Sequence, residues 1–237
     1  MTIESQFPVG VRVGAEFVGT AFLLAAIVGS GEMAQSLTSD GGLQLLQNAI
    51  AVGAALAALI VTLGPVSGAH FNPVVTVANL MLSRIDRWTA VSYAVAQVGG
   101  ATVGVIGANA MFGRRAVEVS TTDRSDVRLV GAEAIATFGL LGVVFVCDRF
   151  HTLPVVAWAV AGYVTAAFSF TASTCFANPA VAIGRTLTDS FAGIDPASAA
   201  GFVVAQLAVT PLALAAVRPV LSGIDSDQRP TWTVEEG

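Results

Sequence analysis

SGAHFNPVV at residues 67–75 and STCFANPAV at residues 173–181 are the two stretches on which the fold turns. Each carries Asn directly before Pro, at Asn72-Pro73 and Asn178-Pro179, and each is followed by a short apolar run. Asn is a good helix N-cap, and Pro suits the first helical position because its missing N–H is unpaired there anyway. The runs NPVVTVANLML (72–82) and NPAVAIGRTL (178–187) therefore read as helices that begin at their Asn. At 1.5 Å per residue each reaches only about 15 Å, half of a hydrocarbon core of roughly 30 Å. A helix that stops at the middle of a bilayer leaves backbone donors that lipid cannot satisfy. Its end must face protein or a water-filled path.

The rest of the chain supplies the bilayer. Of 237 residues, 54% are hydrophobic and 11% charged, where a soluble domain carries about 25% charged residues. Apolar stretches long enough to cross fall near 10–30, 44–64, 89–112, 129–148, 154–171 and 197–220, which predicts six transmembrane helices. Polar connections at 31–42, 113–128, 148–154 and 192–196 separate them, and residues 222–237 read as a polar tail. The first stretch contains Glu16 and lacks a small-residue cleavage site, so it reads as a span rather than a removable signal. All 11 basic residues are Arg, against 16 acidic ones, and the net charge of −5 leaves no basic stripe for nucleic acid. Cys147 and Cys175 have neither disulfide-framework nor metal spacing. No metal site or cofactor is expected.

The two halves repeat one another. AEFVGTAFLL, containing Glu16, corresponds to AEAIATFGLL, containing Glu133; Asn72-Pro73 corresponds to Asn178-Pro179; YAVAQ, ending at Gln97, corresponds to FVVAQ, ending at Gln206. The offsets are 117, 106 and 109 residues, with the landmarks in the same order. The repeats read as residues 10–112 and 129–220 of a single channel domain spanning 1–237. Three spans per copy is an odd number, so the second copy enters from the opposite side of the membrane. Inverted repeats place their site at the midplane, where broken helices point their N-termini. Each such terminus carries roughly half a positive charge. Two Asn amides beside it offer N–H donors to a passing oxygen, which favours neutral hydroxylated solutes over cations.

On these residues the chain resembles the aquaporin (major intrinsic protein) family from about Gly10 to Val220. The resemblance implies an all-α membrane protein with six transmembrane helices and two re-entrant half-helices, a multi-pass place in the cell's inner membrane, and a homotetramer. The first motif departs from the family pattern: it reads Asn72-Pro73-Val74, where the second reads Asn178-Pro179-Ala180, and the extra methyl groups of Val74 imply altered packing against the other half-helix.

The constriction departs further. Water channels of the family carry an Arg three residues after the second motif's Asn; here that position is Val181. The other walls implied by the resemblance are Val52, Cys175 and, from the fifth span, Ala166 by ungapped counting, with a shorter loop shifting that wall as far as Ser169. A filter of Val52, Ala166, Cys175 and Val181 is broad, apolar and uncharged, with one weak S–H donor. It is similar to that of bacterial aquaglyceroporins associated with arsenic resistance. This implies passage of arsenite or related metalloid hydroxides and of polyols such as glycerol, with modest water flux. A water channel of relaxed selectivity is the alternative within the family.

Several residues carry two readings. Arg185, one turn past Val181, is either a displaced charge in the outer vestibule or a surface Arg paired with Asp189. Glu16 and Glu133 are either relay groups or, as their symmetry and the resemblance both imply, acceptors for backbone N–H groups of the two re-entrant loops. His70 either lines the inner vestibule or is a satisfied loop histidine. Cys175 either offers its thiol to the pore or fills space. Beyond the channel, an ion-coupled secondary transporter also has inverted repeats, but it needs coupling carboxylates, for which only Glu16 and Glu133 are available. No pattern of intramembrane catalytic residues is present, so an enzyme is not expected.

Overall fold

The computed structural model describes residues 6–223; most of the polar tail expected at 222–237 lies outside them. Eight helices follow in chain order: α1 (Val9–Leu37), α2 (Gly41–Ser67), α3 (Pro73–Met81), α4 (Arg87–Met111), α5 (Val127–Phe150), α6 (Leu153–Phe170), α7 (Pro179–Arg185) and α8 (Pro196–Ser222). Six of them are long and apolar enough to cross a membrane. The chain is an all-helical, six-span membrane protein, and α3 and α7, of 9 and 7 residues, are the two short helices.

One boundary differs from the sequence expectation. GEMAQSL, assigned to the first connection, continues α1 to Leu37, and only Thr38–Asp40 turn the chain. The run contains no Gly or Pro after Gly31, so nothing stops the helix sooner. The next helix begins sharply because the Asp40 carboxylate caps it, accepting from Leu43 N–H at 2.9 Å. Asp86, Asp126 and Asp195 cap α4, α5 and α8 in the same way.

Packing repeats between the halves. In the first, α1 lies along α4; in the second, α5 lies along α8; α2 meets α6 across the molecule. Lipid supplies no hydrophobic drive between helices, so close approach depends on small residues. Gly100 and Gly104 on α4 show this directly. A Cβ on Gly104 would sit 2.1 Å from Ala21 O, and one on Gly100 would sit 2.2 Å from Phe17 O. Gly104→Val is therefore expected to force α1 and α4 apart and cost about 1–3 kcal/mol or more. A Cβ on Gly107 meets nothing within 4 Å, so Gly107→Val is the control. Thermal aggregation in detergent should fall by several degrees for the first variant and stay close to wild type for the second.

Candidate functional site

Each half-helix is preceded by a strained loop. Ala69 and Phe71 have φ of 49° and 47°; Thr174, Cys175 and Ala177 have φ of 63°, 53° and 44°. Left-handed backbone costs an L-residue about 1–2 kcal/mol, so both loops need external bracing. Two membrane carboxylates provide it. Glu16 accepts from His70 N–H (2.9 Å), Phe71 N–H (2.7 Å), the Ser67 hydroxyl (2.6 Å) and Gln97 Nε2 (2.8 Å). Glu133 accepts from Phe176 N–H (2.8 Å), Ala177 N–H (2.7 Å) and Gln206 Nε2 (2.6 Å). Both carboxylates are fully buried, and every partner named is a donor. These are the bonds that a loop brace makes.

The bracing turns the loops so that the two Asn side chains cross. Asn72 Nδ2 donates to Ala177 O and Asn178 Nδ2 donates to Phe71 O, both at 2.8 Å. Their Oδ1 atoms face the other way: Asn72 accepts from Val74 N–H at 3.0 Å, and Asn178 accepts from Ala180 N–H at 2.9 Å and Val181 N–H at 3.3 Å. Capping thus fixes which end of each amide is oxygen. Each NH2 spends one hydrogen on the opposite loop and retains a second. Pro73 and Pro179 occupy the first helical positions behind the caps. Val74 and Ala180 are fully buried beside them and are not part of the cavity wall.

A cavity of about 550 Å³ passes this crossing, lined by residues from both ends of the molecule. Asn72 and Asn178 lie in its wall, as do Val52, Cys175 and Val181. Ala166 does not. It is exposed on the outer side of α6, whereas Val164 and Phe168, four residues apart on one helical face, line the cavity and are buried. At 100° per residue, position 166 is turned roughly 200° from position 164. The fifth-span wall is therefore aromatic and larger than the Ala that ungapped counting suggested. Ala166→Trp is expected to leave solute flux near wild type, whereas Val164→Trp should lower it more than tenfold, over about 1.4 kcal/mol of added barrier. A proteoliposome swelling assay compares the two.

Arg185 also lines the cavity and is 4% exposed. It is not paired with Asp189. Its Nε donates to Ala192 O, and its guanidinium lies 3.6 Å from the centroid of the Phe176 ring. Asp189 is held by the 113–126 connection: Thr121 N–H donates to it at 2.9 Å, and these bonds keep its carboxyl below the usual range. At the opposite mouth, His70 is half-buried, with Nδ1 3.1 Å from Thr76 Oγ1 and its ring edge-on to Tyr93. Arg12, Arg84, Asp148 and His151 line that mouth, with Arg84 and Asp148 paired at 3.0 Å. None of these four is singled out from sequence, because they come from two helix ends, of α1 and α5, and from two connections, α3–α4 and α5–α6. Among the described residues no group of His, Cys, Asp and Glu could hold a metal ion.

Known proteins resemble this chain in sequence and in fold. The family described as Major intrinsic protein matches residues 8–151. Over 216 residues the chain is 44% identical to aquaglyceroporin AqpS of Rhizobium meliloti (strain 1021), covering 91% of this chain and 92% of that protein. Aquaporin NIP1-1 of Oryza sativa subsp. japonica is 35% identical over 135 residues, 56% of this chain and 47% of that protein. Among solved structures, the X-ray structure of the aquaglyceroporin from Plasmodium falciparum is similar with a TM-score of 0.71, covering 90% of this chain and 99% of that one. At 18% identity that likeness bears on the fold alone.

Proposed function

The chain belongs to the major intrinsic protein family and is an aquaglyceroporin-type channel for small neutral solutes, and from that premise we propose that its cargo is arsenite, related metalloid hydroxides and polyols such as glycerol, with water a minor passenger. The observation that carries this reading is the wall beside the Asn crossing. Val52, Val164, Phe168 and Val181 present one apolar side, and the two Asn amides present donors. A solute with several hydroxyls and no charge fits both: its oxygens take the Asn hydrogens while its uncharged body lies against the apolar side chains. Water gains less, because the apolar side replaces none of its hydrogen bonds.

Cations are opposed by the two helix N-termini, about half a charge each, and by Arg185. Ion coupling through the membrane carboxylates is disfavoured, because Glu16 and Glu133 are already engaged by four and three donors. In this reading Asn72 and Asn178 are the midplane donors, Val52, Val164, Phe168, Cys175 and Val181 the filter, Glu16 and Glu133 the loop braces, and His70 and Arg185 vestibule groups. A homotetramer in the bilayer, which the family resemblance implies, belongs to the same proposal.

The test of cargo is uptake of arsenite and of glycerol by proteoliposomes at equal protein. Arsenite entering faster than into protein-free vesicles supports the metalloid reading; arsenite uptake equal in both, beside rapid glycerol uptake, overturns it and leaves a polyol channel.

A further inference from the structure

A side chamber of about 190 Å³ adjoins the pore cavity, and Arg185 is common to both walls. Arg124, from the connection between α4 and α5, is the second cation in its lining, beside Asn48, Thr174 and Phe191. The two arginines are fixed by one small frame. Arg185 Nε donates to Ala192 O and Arg124 Nε donates to Gly193 O, two consecutive carbonyls. Their guanidinium carbons lie 3.6 Å and 5.4 Å from the centroid of the same ring, Phe176, and so stand within about 9 Å of each other, each in cation–π contact. Arg remains charged at any accessible pH.

Among the described residues no carboxylate forms an ion pair with either. The neighbouring acidic groups are engaged elsewhere. Asp123 accepts from Ser125 N–H and the Ser198 hydroxyl, Asp195 caps α8, Asp40 caps α2, and Glu133 braces the second loop. Two pre-positioned guanidiniums thus line one small, partly enclosed chamber with no ion-pair partner among the described residues, the buried Glu133 carboxylate acting on both only through space. Each keeps terminal N–H donors in the fork geometry that matches oxyanions.

We propose that Arg124 and Arg185 form a binding site for a small inorganic oxyanion of the sulfate or phosphate class, and that an anion held there obstructs the pore at Arg185. The anion stops at this level because the next walls are Val181, Phe168 and Val52, which cannot replace its hydration. Binding depends on the two arginines alone; the obstruction also rests on the channel reading above.

The experiment measures two quantities on the purified full chain, with sulfate against chloride at matched ionic strength. The first is the thermal unfolding midpoint. A saturating rise with sulfate is expected, and saturation separates site binding from the steady stabilisation that excluded salts give. Arg124→Gln should need roughly tenfold more sulfate for the same rise, the loss of about 1.4 kcal/mol in charge-assisted hydrogen bonding. The second is glycerol uptake by proteoliposomes, expected to fall severalfold in sulfate and to be relieved in Arg124→Gln, each variant being compared with itself in chloride. Absence of a saturating rise in the wild type overturns the site, and an equal rise in Arg124→Gln overturns the assignment to Arg124. Should Arg124→Gln fail to fold, Arg124→Lys and the wild-type rise decide the matter. A saturating rise with unchanged glycerol uptake overturns the obstruction, while a rise with no glycerol uptake in any salt leaves the site standing and removes the channel cargo.

Discussion

Glu16→Ala is expected to abolish solute flux and to leave a protein that no longer holds its first re-entrant loop. The substitution strands four donors at once: His70 N–H, Phe71 N–H, the Ser67 hydroxyl and Gln97 Nε2. The two backbone N–H groups alone cost roughly 1–3 kcal/mol each when left buried and unpaired, and lipid offers them nothing instead. The same loss frees the left-handed residues Ala69 and Phe71 to relax. Phe71 O then no longer meets Asn178 Nδ2, and the crossing opens from one side. Glu16→Gln should be nearly as damaging, because its amide NH2 brings a donor to a site where every named partner also donates. Flux and detergent heat stability at wild-type levels in Glu16→Gln would show that the carboxylate does not brace the loop. Glu133→Ala should follow the same pattern, with one fewer stranded donor: the counterpart of Ser67 is Ser173, whose buried hydroxyl has no partner.

Val181→Arg should turn the pore from a polyol path toward a water path. Val181 lines the cavity beside the Asn crossing and is 3% exposed. An Arg there adds length and donors where the wall is now apolar, so glycerol and arsenite uptake should fall more than tenfold while water flux is retained or rises. The new charge lies one turn from Arg185, and the repulsion is about 2 kcal/mol at ~8 Å and an effective dielectric of ~20. That is too small to unfold the protein and large enough to strengthen the cation barrier. Double substitution with Arg185→Gln should relieve the repulsion and recover heat stability. Unchanged glycerol uptake in Val181→Arg would mean that position 181 does not set the narrowest point.

The half-helices were legible because Asn-Pro at the start of a run too short to cross a bilayer admits few structures. The bracing role of Glu16 and Glu133 was legible from symmetry, since a carboxylate at the same place in each repeat fits a duplicated loop better than a single relay. Two features were hidden for different reasons. Placing the fifth-span wall requires the helical phase of α6 relative to the loop behind it, and counting residues back from Asn178 gives no phase; hence Ala166 in place of Val164 and Phe168. The partner of Arg185 was hidden by long-range competition. Asp189 stands at the favourable spacing for a helical pair, but Thr121, 68 residues earlier in the chain, holds it instead. That leaves the guanidinium to Phe176 and Ala192 O, an arrangement no local pattern encodes.

A passive path for neutral hydroxylated solutes past the Asn72–Asn178 crossing is the proposal on which the rest depends. Stopped-flow light scattering of proteoliposomes under an inward glycerol gradient tests it most directly. The expected result is rapid re-swelling whose rate rises linearly with glycerol concentration, ends at equal concentrations inside and out, and is indifferent to proton or sodium gradients. Re-swelling no faster than in protein-free vesicles, or accumulation driven by an ion gradient, would contradict it.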